Sequence, residues 1–247
     1  MTTISTGEPF AVAVVAAIRA GEVDDLRRLL SDHPELADVR LGDDDPDGMS
    51  RTLLHVATDW PGHFPRVADT IEVLVAAGAD VDGRFRGPHE ETPLHWAASS
   101  DDVDALLALL EAGADIDATG GVIGGGTPLQ DATAFAQWDA ARALVARGAR
   151  TSPFDLAALG MTDELLAILA RADPGPPDEV NKAFWSACHG GQLATAQALL
   201  ARGADLDWLP EWEDATPLDI AARAGAHEVI GWLHEQGAHT CDQLRDN

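Results

Sequence analysis

The chain is poor in positive charge. Of its 247 residues 42 are acidic and 16 are basic, which gives a formal net charge of −26, and Lys182 is the single lysine. A surface this negative repels phosphate backbones, so we expect no nucleic-acid partner. The same charge favours encounter with a basic protein surface or a cationic ligand, but it also keeps an Ala- and Leu-rich chain in solution. The charge alone leaves both interpretations open.

Cysteines and long apolar runs are scarce as well. Cys188 and Cys241 are the two cysteines, and they form neither a CxxC motif nor a disulfide framework, which predicts a reducing, cytoplasmic location. No stretch approaches the roughly 20 apolar residues that a membrane span needs. The apolar run 10–18 follows Glu8, and no basic residue precedes Arg19, so it is unlike a secretory leader. We therefore expect no membrane partner.

Motifs that bind metals or nucleotides are also missing. The sequence has no HExxH, no paired Cys/His ligand spacing and no phosphate-binding Walker loop. Gly120–Gly126 is rich in glycine, but it lacks the lysine and the hydroxyl residue of such a loop, and a flexible finger is the better interpretation. We expect neither a metal nor a cofactor.

One motif recurs along the chain. Its clearest copy is Thr92–Ala98, read Thr-Pro-Leu-His-Trp-Ala-Ala, followed by an apolar stretch and Gly113-Ala114-Asp115. Thr216–Ala222 repeats the opening, and Gly237-Ala238 repeats the close. Thr can cap the start of a helix, Pro is suited to the first helical position, and Gly is suited to the position after a helix ends. Each copy predicts a helix–turn–helix unit whose apolar face must be buried by its neighbours.

These residues resemble the ankyrin-repeat family, whose corresponding signature is Thr-Pro-Leu-His-x-Ala-Ala with a later Leu-Leu-x-x-Gly-Ala-Asp. The resemblance spans about residues 10 to 240. It implies an all-α ankyrin-repeat solenoid of about seven helix–turn–helix units, with β-hairpin-like fingers and a concave binding groove. It implies no particular partner, because the family is defined by its scaffold.

We predict one ankyrin-repeat domain over residues 1–247. Its units are of unequal length, and the Pro-rich segment 173–180 is a place where the array can bend. The predicted units start near residues 12, 52, 92, 127, 152, 182 and 216.

Two segments depart from the repeat. The acidic stretch at residues 41–48 lacks the twelve-position calcium-loop pattern, so a solvated turn is favoured over a calcium site. The insertion Asp59–Pro65 contains two prolines and a glycine and must be a loop. We predict that this loop either packs on its neighbours or forms a lid over the groove.

The resemblance also indicates a binding surface. In ankyrin-like stacks, variable contacts come from the finger tips and from the two positions after the paired small residues. Trp and Arg at such positions are typical of interface hot spots, although each can instead serve local packing. With the insertion loop, the candidate binding residues are Trp60, Phe64, Arg84, Phe85, Arg86, Ser99, Ser100, Phe135, His189, Trp208 and Trp212.

Four positions within the first helices have separate predictions. The family resemblance implies that His55 and His95 make a structural hydrogen bond near the turn, and that Trp185 replaces the same histidine. Asp131 falls at a mostly apolar position, where an unpaired carboxylate is unfavourable, so we expect the Trp96 indole N–H to be its partner.

Our leading hypothesis is a scaffold that binds another protein, one with a basic surface, through its concave face. The alternative is a small-molecule-binding protein or an enzyme with a pocket around Trp60, Trp96, Asp131 and Phe135. In that alternative Gln130 also lines the pocket and Asp131 is the catalytic residue, because a buried carboxyl group can act as a general acid. In the leading hypothesis no residue is catalytic.

Overall fold

The computed structural model describes residues 2–42, 48–171 and 178–246. Most of the acidic stretch, residues 43–47, lies outside these ranges, and so do residues 173–177 of the Pro-rich segment. The described elements, in chain order, are β1 (Thr3–Ile4), α1 (Pro9–Ala20), α2 (Val23–Asp32), a 3-10 turn (Pro34–Leu36), β2 (Arg40–Gly42), β3 (Ser50–Thr52), α3 (Leu53–Ala57), α4 (Val67–Ala76), α5 (Pro93–Ser99), α6 (Val103–Glu111), α7 (Pro128–Ala134), α8 (Trp138–Ala146), α9 (Pro153–Ala158), α10 (Thr162–Arg171), α11 (Glu179–His189), α12 (Leu193–Leu200), α13 (Pro217–Arg223), α14 (His227–Gln236) and α15 (Cys241–Arg245).

The helices form pairs within two compact units. Unit 1 covers residues 1–149 and contains the pairs from α1/α2 to α7/α8; unit 2 covers residues 150–247 and contains α9/α10 to α13/α14, followed by α15. Within each unit, first helices pack on first helices, as α5 does on α7 and α11 on α13, and second helices pack on second helices. This all-α stack of helix pairs confirms the predicted fold class. The single domain over 1–247 and the bend at 173–180 stay predictions.

The first helices begin as their sequences predict. Each predicted Thr or Ser is an N-cap, and the third helical side chain bonds back to the N-cap backbone in a capping box. The third helical residue varies among His, Gln and Asp. The residues with this geometry are Thr52, Thr92, Thr127, Ser152 and Thr216.

Two first helices begin earlier than their predicted starts at residues 12 and 182. α1 begins at Pro9 and α11 at Glu179, and neither N-cap side chain accepts a hydrogen bond. Without a capping motif, the predicted register located the helix but not its first turn. At the other end, Thr240 caps the additional helix α15 with Gln243 as its partner.

Small residues set how closely the helices approach. Ala97 and Ala98 at the end of α5 are fully buried, as are Leu106 and Leu109 on its partner α6. An alanine pair leaves room for the next helix, while the leucines fill the space between the helices of one pair. The repeat motif therefore encodes both where a helix begins and how near its neighbour can lie.

Buried rings connect successive repeats within unit 1. In His55 and His95, Nδ1 accepts the N–H of the capping threonine, so Nε2 carries the hydrogen. That hydrogen is donated to the carbonyl of Glu91 from His55 and to the carbonyl of Gly126 from His95, each over 3.1 Å. Both acceptors directly precede the next capping threonine, so the expected structural role of the histidines is confirmed.

Trp185 makes the equivalent bond in unit 2. Its indole Nε1 donates to the carbonyl of Ala215 over 2.9 Å, and Ala215 directly precedes the capping Thr216. The tryptophan therefore replaces the histidine of the motif in position and in the bond to the next repeat, but not in the helix cap. We call the bond from a ring N–H to the carbonyl before the next cap the ring-to-carbonyl bond.

A small sheet forms where unit 1 begins; its antiparallel pair is a β-hairpin-like finger of the predicted kind, whereas the third strand, β1, was not predicted. β2 pairs antiparallel with β3, and β1 pairs parallel with β2. Arg40 is buried, and its guanidinium donates to Ser50 Oγ over 2.9 Å, to the Ser50 carbonyl over 2.8 Å and to the Arg84 carbonyl over 2.5 Å. Burial lowers the pKa of Arg40 from its usual value. This one side chain fastens two neighbouring fingers.

Several aspartates stabilise turns by accepting hydrogen bonds from the backbone. Asp80 Oδ1 accepts from the Asp82 N–H over 3.1 Å, and Asp82 Oδ1 accepts from the Asp115 N–H over 3.0 Å. Asp117 repeats the turn with Asp115, and Asp207 repeats it with Asp205. These carboxylates satisfy backbone donors that a loop would otherwise leave to water.

The buried histidines make unit 1 sensitive to acid. Burial lowers the pKa of His95 to about 4 and that of His55 to about 3, from 6.5, because the charged ring loses its water. Their stabilising contribution is complete above pH 6.5 and is lost as the pH falls, since the unfolded chain then binds the protons.

We expect His95→Gln to reduce this acid sensitivity, because the variant lacks the ionisable ring. Glutamine fits the position, since Gln130 already completes the same capping box in α7. Between pH 7.5 and pH 5 the wild type should lose about 2 kcal/mol more unfolding free energy than the variant. Urea unfolding at both pH values measures the difference, and pH 5 stays above the pI of 4.3. Equal losses in the two proteins would contradict the assigned role.

Candidate functional site

The insertion loop of unit 1 is fastened to the next repeat. The His63 N–H donates to Asp102 Oδ2 over 2.5 Å, and Asp102 also caps α6 through the Ala105 N–H over 3.0 Å. Gly62 is buried, and a Cβ there would lie 3.1 Å from the Cβ of Ser100. Of the two predicted alternatives, packing on a neighbour is what the structure shows for the base of this loop.

The tip of the same loop presents an indole to solvent. Trp60 is 79% exposed and forms no ring contact with any residue that the structure describes, whereas Phe64 is half-buried. The Asp59 carboxylate beside it accepts from Arg19 over 3.0 Å and from Arg51 over 2.7 Å. The carboxylate next to Trp60 in the chain is therefore already paired with two arginines of the same protein.

Three predicted contact residues in the next finger hold that finger in place. Arg84 donates to the carbonyls of Glu90 and Thr119, and the backbone of Arg86 pairs with that of Ser50. The Phe85 ring lies 5.5 Å from the Trp96 ring and 6.3 Å from the His55 ring. Arg84, Phe85 and Arg86 thus have structural contacts, and a binding role for them stays a prediction.

The helix ends of unit 1 leave one aromatic side chain accessible. Phe135 follows α7 and is 42% exposed. Ser99 is half-buried and donates to the Trp96 carbonyl over 3.2 Å, and the Ser100 carbonyl accepts from His63 Nε2 over 3.2 Å. Phe135 and Trp60 are consequently the accessible aromatic residues among those predicted in unit 1.

Asp131 supports the glycine-rich finger from below. It is fully buried, and Oδ1 accepts from the Ile123 N–H over 3.2 Å. Oδ2 makes no hydrogen bond of normal geometry with the described chain, although the Val122 N–H also stabilises the charged carboxylate. A Cβ at Gly121 would lie 2.6 Å from Oδ2, so glycine is what lets the finger approach.

The expected bond between Trp96 and Asp131 is wrong. The Trp96 side chain interacts with Glu91 instead and lowers the pKa of that carboxyl group against the effect of burial. The Trp96 ring packs 4.8 Å from the His55 ring and 5.5 Å from the Phe85 ring. Burial raises the pKa of Asp131, and the nearby charge of Glu91 also raises it, so that its value is about 6. With no exposed surface, Asp131 serves here as an anchor for a finger.

Unit 2 contains an aromatic cluster, which we call the tryptophan cluster: Phe154, Trp185, His189, Trp208 and Trp212. Trp185 stacks on Phe154 at 6.1 Å and lies 5.7 Å from His189. Trp212 meets Trp185 edge-on at 6.0 Å and Trp208 at 5.7 Å. His189, Trp208 and Trp212 are candidate residues from the sequence, whereas Phe154 and Trp185 join them only through the fold.

The cluster has a buried base and an open edge. Trp185 is 4% exposed and His189 is buried, whereas Trp212 is 53% exposed and Leu209 beside it is 41% exposed. A partner can therefore reach Trp212 and Leu209 directly, while His189 lies beneath them.

Other kinds of site have little support in the described residues. No three His, Cys, Asp or Glu side chains in residues 2–42, 48–171 and 178–246 are grouped as metal ligands would be. Cys188 and Cys241 are both buried and free, and burial raises the pKa of the Cys188 thiol. Over the same residues, none of the helices has the length and apolar character needed to cross a bilayer.

Capped helix pairs joined through their fingers define a repeat scaffold, and the comparisons identify the repeat. The family described as ankyrin repeats (3 copies) matches residues 67–155. The human ASB11 ankyrin repeat domain aligns with 92% of this chain and 84% of its own, at 23% identity and a TM-score of 0.51, which shows the fold. Residues 67–155 match ankyrin repeats, and the chain has the ankyrin-repeat fold, as its sequence predicted. Ankyrin repeats are a general scaffold for protein–protein interaction.

Two nematode proteins are similar over a shorter span. The ankyrin repeat and KH domain-containing proteins mask-1 of Caenorhabditis elegans and CBG24701 of Caenorhabditis briggsae are 43% and 45% identical to it over 51 residues. That span is 21% of this chain and 2% of each relative. The likeness concerns the repeat and not the whole of those proteins.

The role of Asp131 can be tested by pH. Its folded pKa of about 6 lies above the unfolded value of 3.8, so its protonated form favours the folded state and stability falls as pH rises through this range. Asp131→Asn keeps the acceptor and removes the charge. Between pH 5 and pH 7.5, the unfolding free energy of this variant should rise by about 1 kcal/mol relative to wild type.

Asp131→Ala is the matched control, because it also removes the acceptor of the Ile123 N–H and should destabilise the protein at both pH values. Denaturant unfolding measures all three proteins. A constant difference between wild type and Asp131→Asn would contradict the anchoring role of the buried carboxylate.

Proposed function

We propose that the protein binds another protein through its concave face, the surface formed by the ends of the first helices and by the fingers. The observation that supports it most is the placement of exposed aromatic side chains at these positions in both units. Trp60 and Phe135 lie on unit 1 and Trp212 lies on unit 2. The core does not use these rings, and exposed aromatic residues are typical of interface hot spots.

The supports of these rings favour the same function. The backbone of the loop that carries Trp60 is tied to Asp102, and the Trp212 ring is held between two other indoles. A loop or a ring that is already fixed loses little conformational entropy when a partner covers it. Fixed aromatic residues beside polar ones therefore suit recognition better than disordered side chains would.

We further propose that the partner has a basic surface and that both proteins share the cytoplasm. A net charge of −26 accelerates encounter with a positive surface and makes association weaker at high salt. Two free, buried cysteines suit a reducing compartment. The alternative of a small-molecule site or an enzyme around Trp60, Trp96, Asp131 and Phe135 stays a prediction.

Site-specific photo-crosslinking in native lysate tests the proposed face. Phe135→benzoylphenylalanine keeps an aromatic ring at an exposed position of the first-helix side. We expect it to capture a protein at low salt and to capture less as salt rises, since charge complementarity is screened.

The same crosslinker at Glu72, an exposed position of the second helix α4, is the control and should capture little. Equal capture at both positions would place the partner elsewhere. Copurification of a small molecule without any crosslinked protein would favour the alternative function.

A further inference from the structure

We propose that the tryptophan cluster of unit 2 binds an arginine side chain of a basic partner protein, with Trp212 as the aromatic surface and Glu211 as the counter-ion. The inference rests on the proposed protein-binding function and specifies the chemistry of one part of that surface. The required features are a fixed aromatic face, an available carboxylate beside it and an acidic surrounding. Each is present in the finger 204–215.

The Trp212 ring is fixed from two sides. Trp208 contacts it at 5.7 Å and 66°, and Trp185 contacts it at 6.0 Å and 80°. Edge-to-face contacts of this kind fix the orientation of a ring. About half of the Trp212 residue remains exposed, so part of its aromatic surface is available to a cation.

The base beneath Trp212 is itself anchored. Trp185 donates its indole N–H to the Ala215 carbonyl and stacks on Phe154 with an angle of 28° between the rings. This bond also connects two successive repeats, so the cluster cannot rearrange without disturbing the stack. A ligand would meet a preformed surface, and little binding energy would be lost in ordering it.

The carboxylates of this finger differ in whether they have a partner. Glu213 pairs with Arg223, and Asp214 pairs with Arg245 over 2.7 Å. Glu211 is exposed, and its side chain makes no ion pair or hydrogen bond within residues 2–42, 48–171 and 178–246. Glu211 is therefore the carboxylate of this finger without a described partner, and it directly precedes Trp212, the most exposed indole of the finger.

Arginine fits this arrangement better than other side chains. Its planar guanidinium stacks on an aromatic face and can at the same time donate to a carboxylate in a forked geometry. A purely apolar ligand would use Trp212 and Leu209 but would leave Glu211 without a role. A phosphate group would be repelled by the acidic surrounding.

Trp60 provides an internal comparison. It is more exposed than Trp212, yet the carboxylate beside it already binds Arg19 and Arg51. A cation approaching Trp60 would meet two positive charges with no available counter-ion. Exposure alone would favour Trp60 as the cation site, whereas the charge environment favours Trp212.

Calorimetric titration of the full chain with a short capped peptide containing arginine tests the proposal. The comparison peptide carries citrulline, which has nearly the same shape without the charge. We expect the arginine peptide to bind about five- to tenfold more tightly, the range of an exposed cation–π contact together with a surface ion pair. Trp212→Ala and Glu211→Gln should each remove most of this preference, and Trp60→Ala should leave it unchanged.

Trp212→Phe keeps an aromatic face and should restore part of the preference, which separates loss of the face from loss of folding. Equal binding of both peptides by the wild type would overturn the proposal. So would a loss in Trp60→Ala as large as that in Trp212→Ala, or tighter binding of a leucine peptide than of the arginine peptide.

The two proposals fail in different experiments. If the crosslinker at Phe135 captures a partner and the peptides bind equally, the scaffold function stands and the arginine site is wrong. If the arginine preference is found and the crosslinker captures nothing, the site is real and the wider concave-face function is wrong.

Discussion

The structure depends on the ring-to-carbonyl bond between successive repeats. Where the bond starts from His55 or His95 in unit 1, the same side chain also completes a helix cap, so one residue fixes the beginning of its own helix and the approach of the next turn. In unit 2 Trp185 makes the bond without capping its helix. The accepting carbonyls lie inside the stack, where an unpaired acceptor would be costly. Local sequence and long-range packing are thus joined through a single bond, and the fingers that carry the candidate binding residues are held in register by it.

How much the sequence could predict followed from how local each interaction is. The caps at Thr92 and Thr216, the helix pairs and the role of His95 depend on residues within one motif, and all were predictable. The partner of Asp131 was not, because it depends on whether the Trp96 ring turns towards the glycine-rich finger or towards Phe85. The sheet fastened by Arg40 and the meeting of Phe154 with Trp212 join segments far apart in the chain. Patterns within one repeat carry no information about such contacts.

The two exposed tryptophans show why a residue type alone does not define a binding site. Trp60 and Trp212 both project from loops and both are accessible, but their neighbours differ. One lies beside a carboxylate that two arginines neutralise, and the other lies beside a carboxylate without a described partner. An aromatic face attracts cations only weakly when positive charge is already present. Charge placement around each ring, more than the ring itself, gives the two units different chemistry on a common scaffold.

The exchange of histidine for tryptophan at position 185 has a further consequence. An indole carries no ionisable nitrogen in the physiological range, so the bond it makes to Ala215 is indifferent to protons. The bonds made by the imidazoles of unit 1 hold only while those rings stay neutral. Acid tolerance in a repeat protein can therefore be set repeat by repeat, through the choice of ring at one position, without altering the fold that the ring supports.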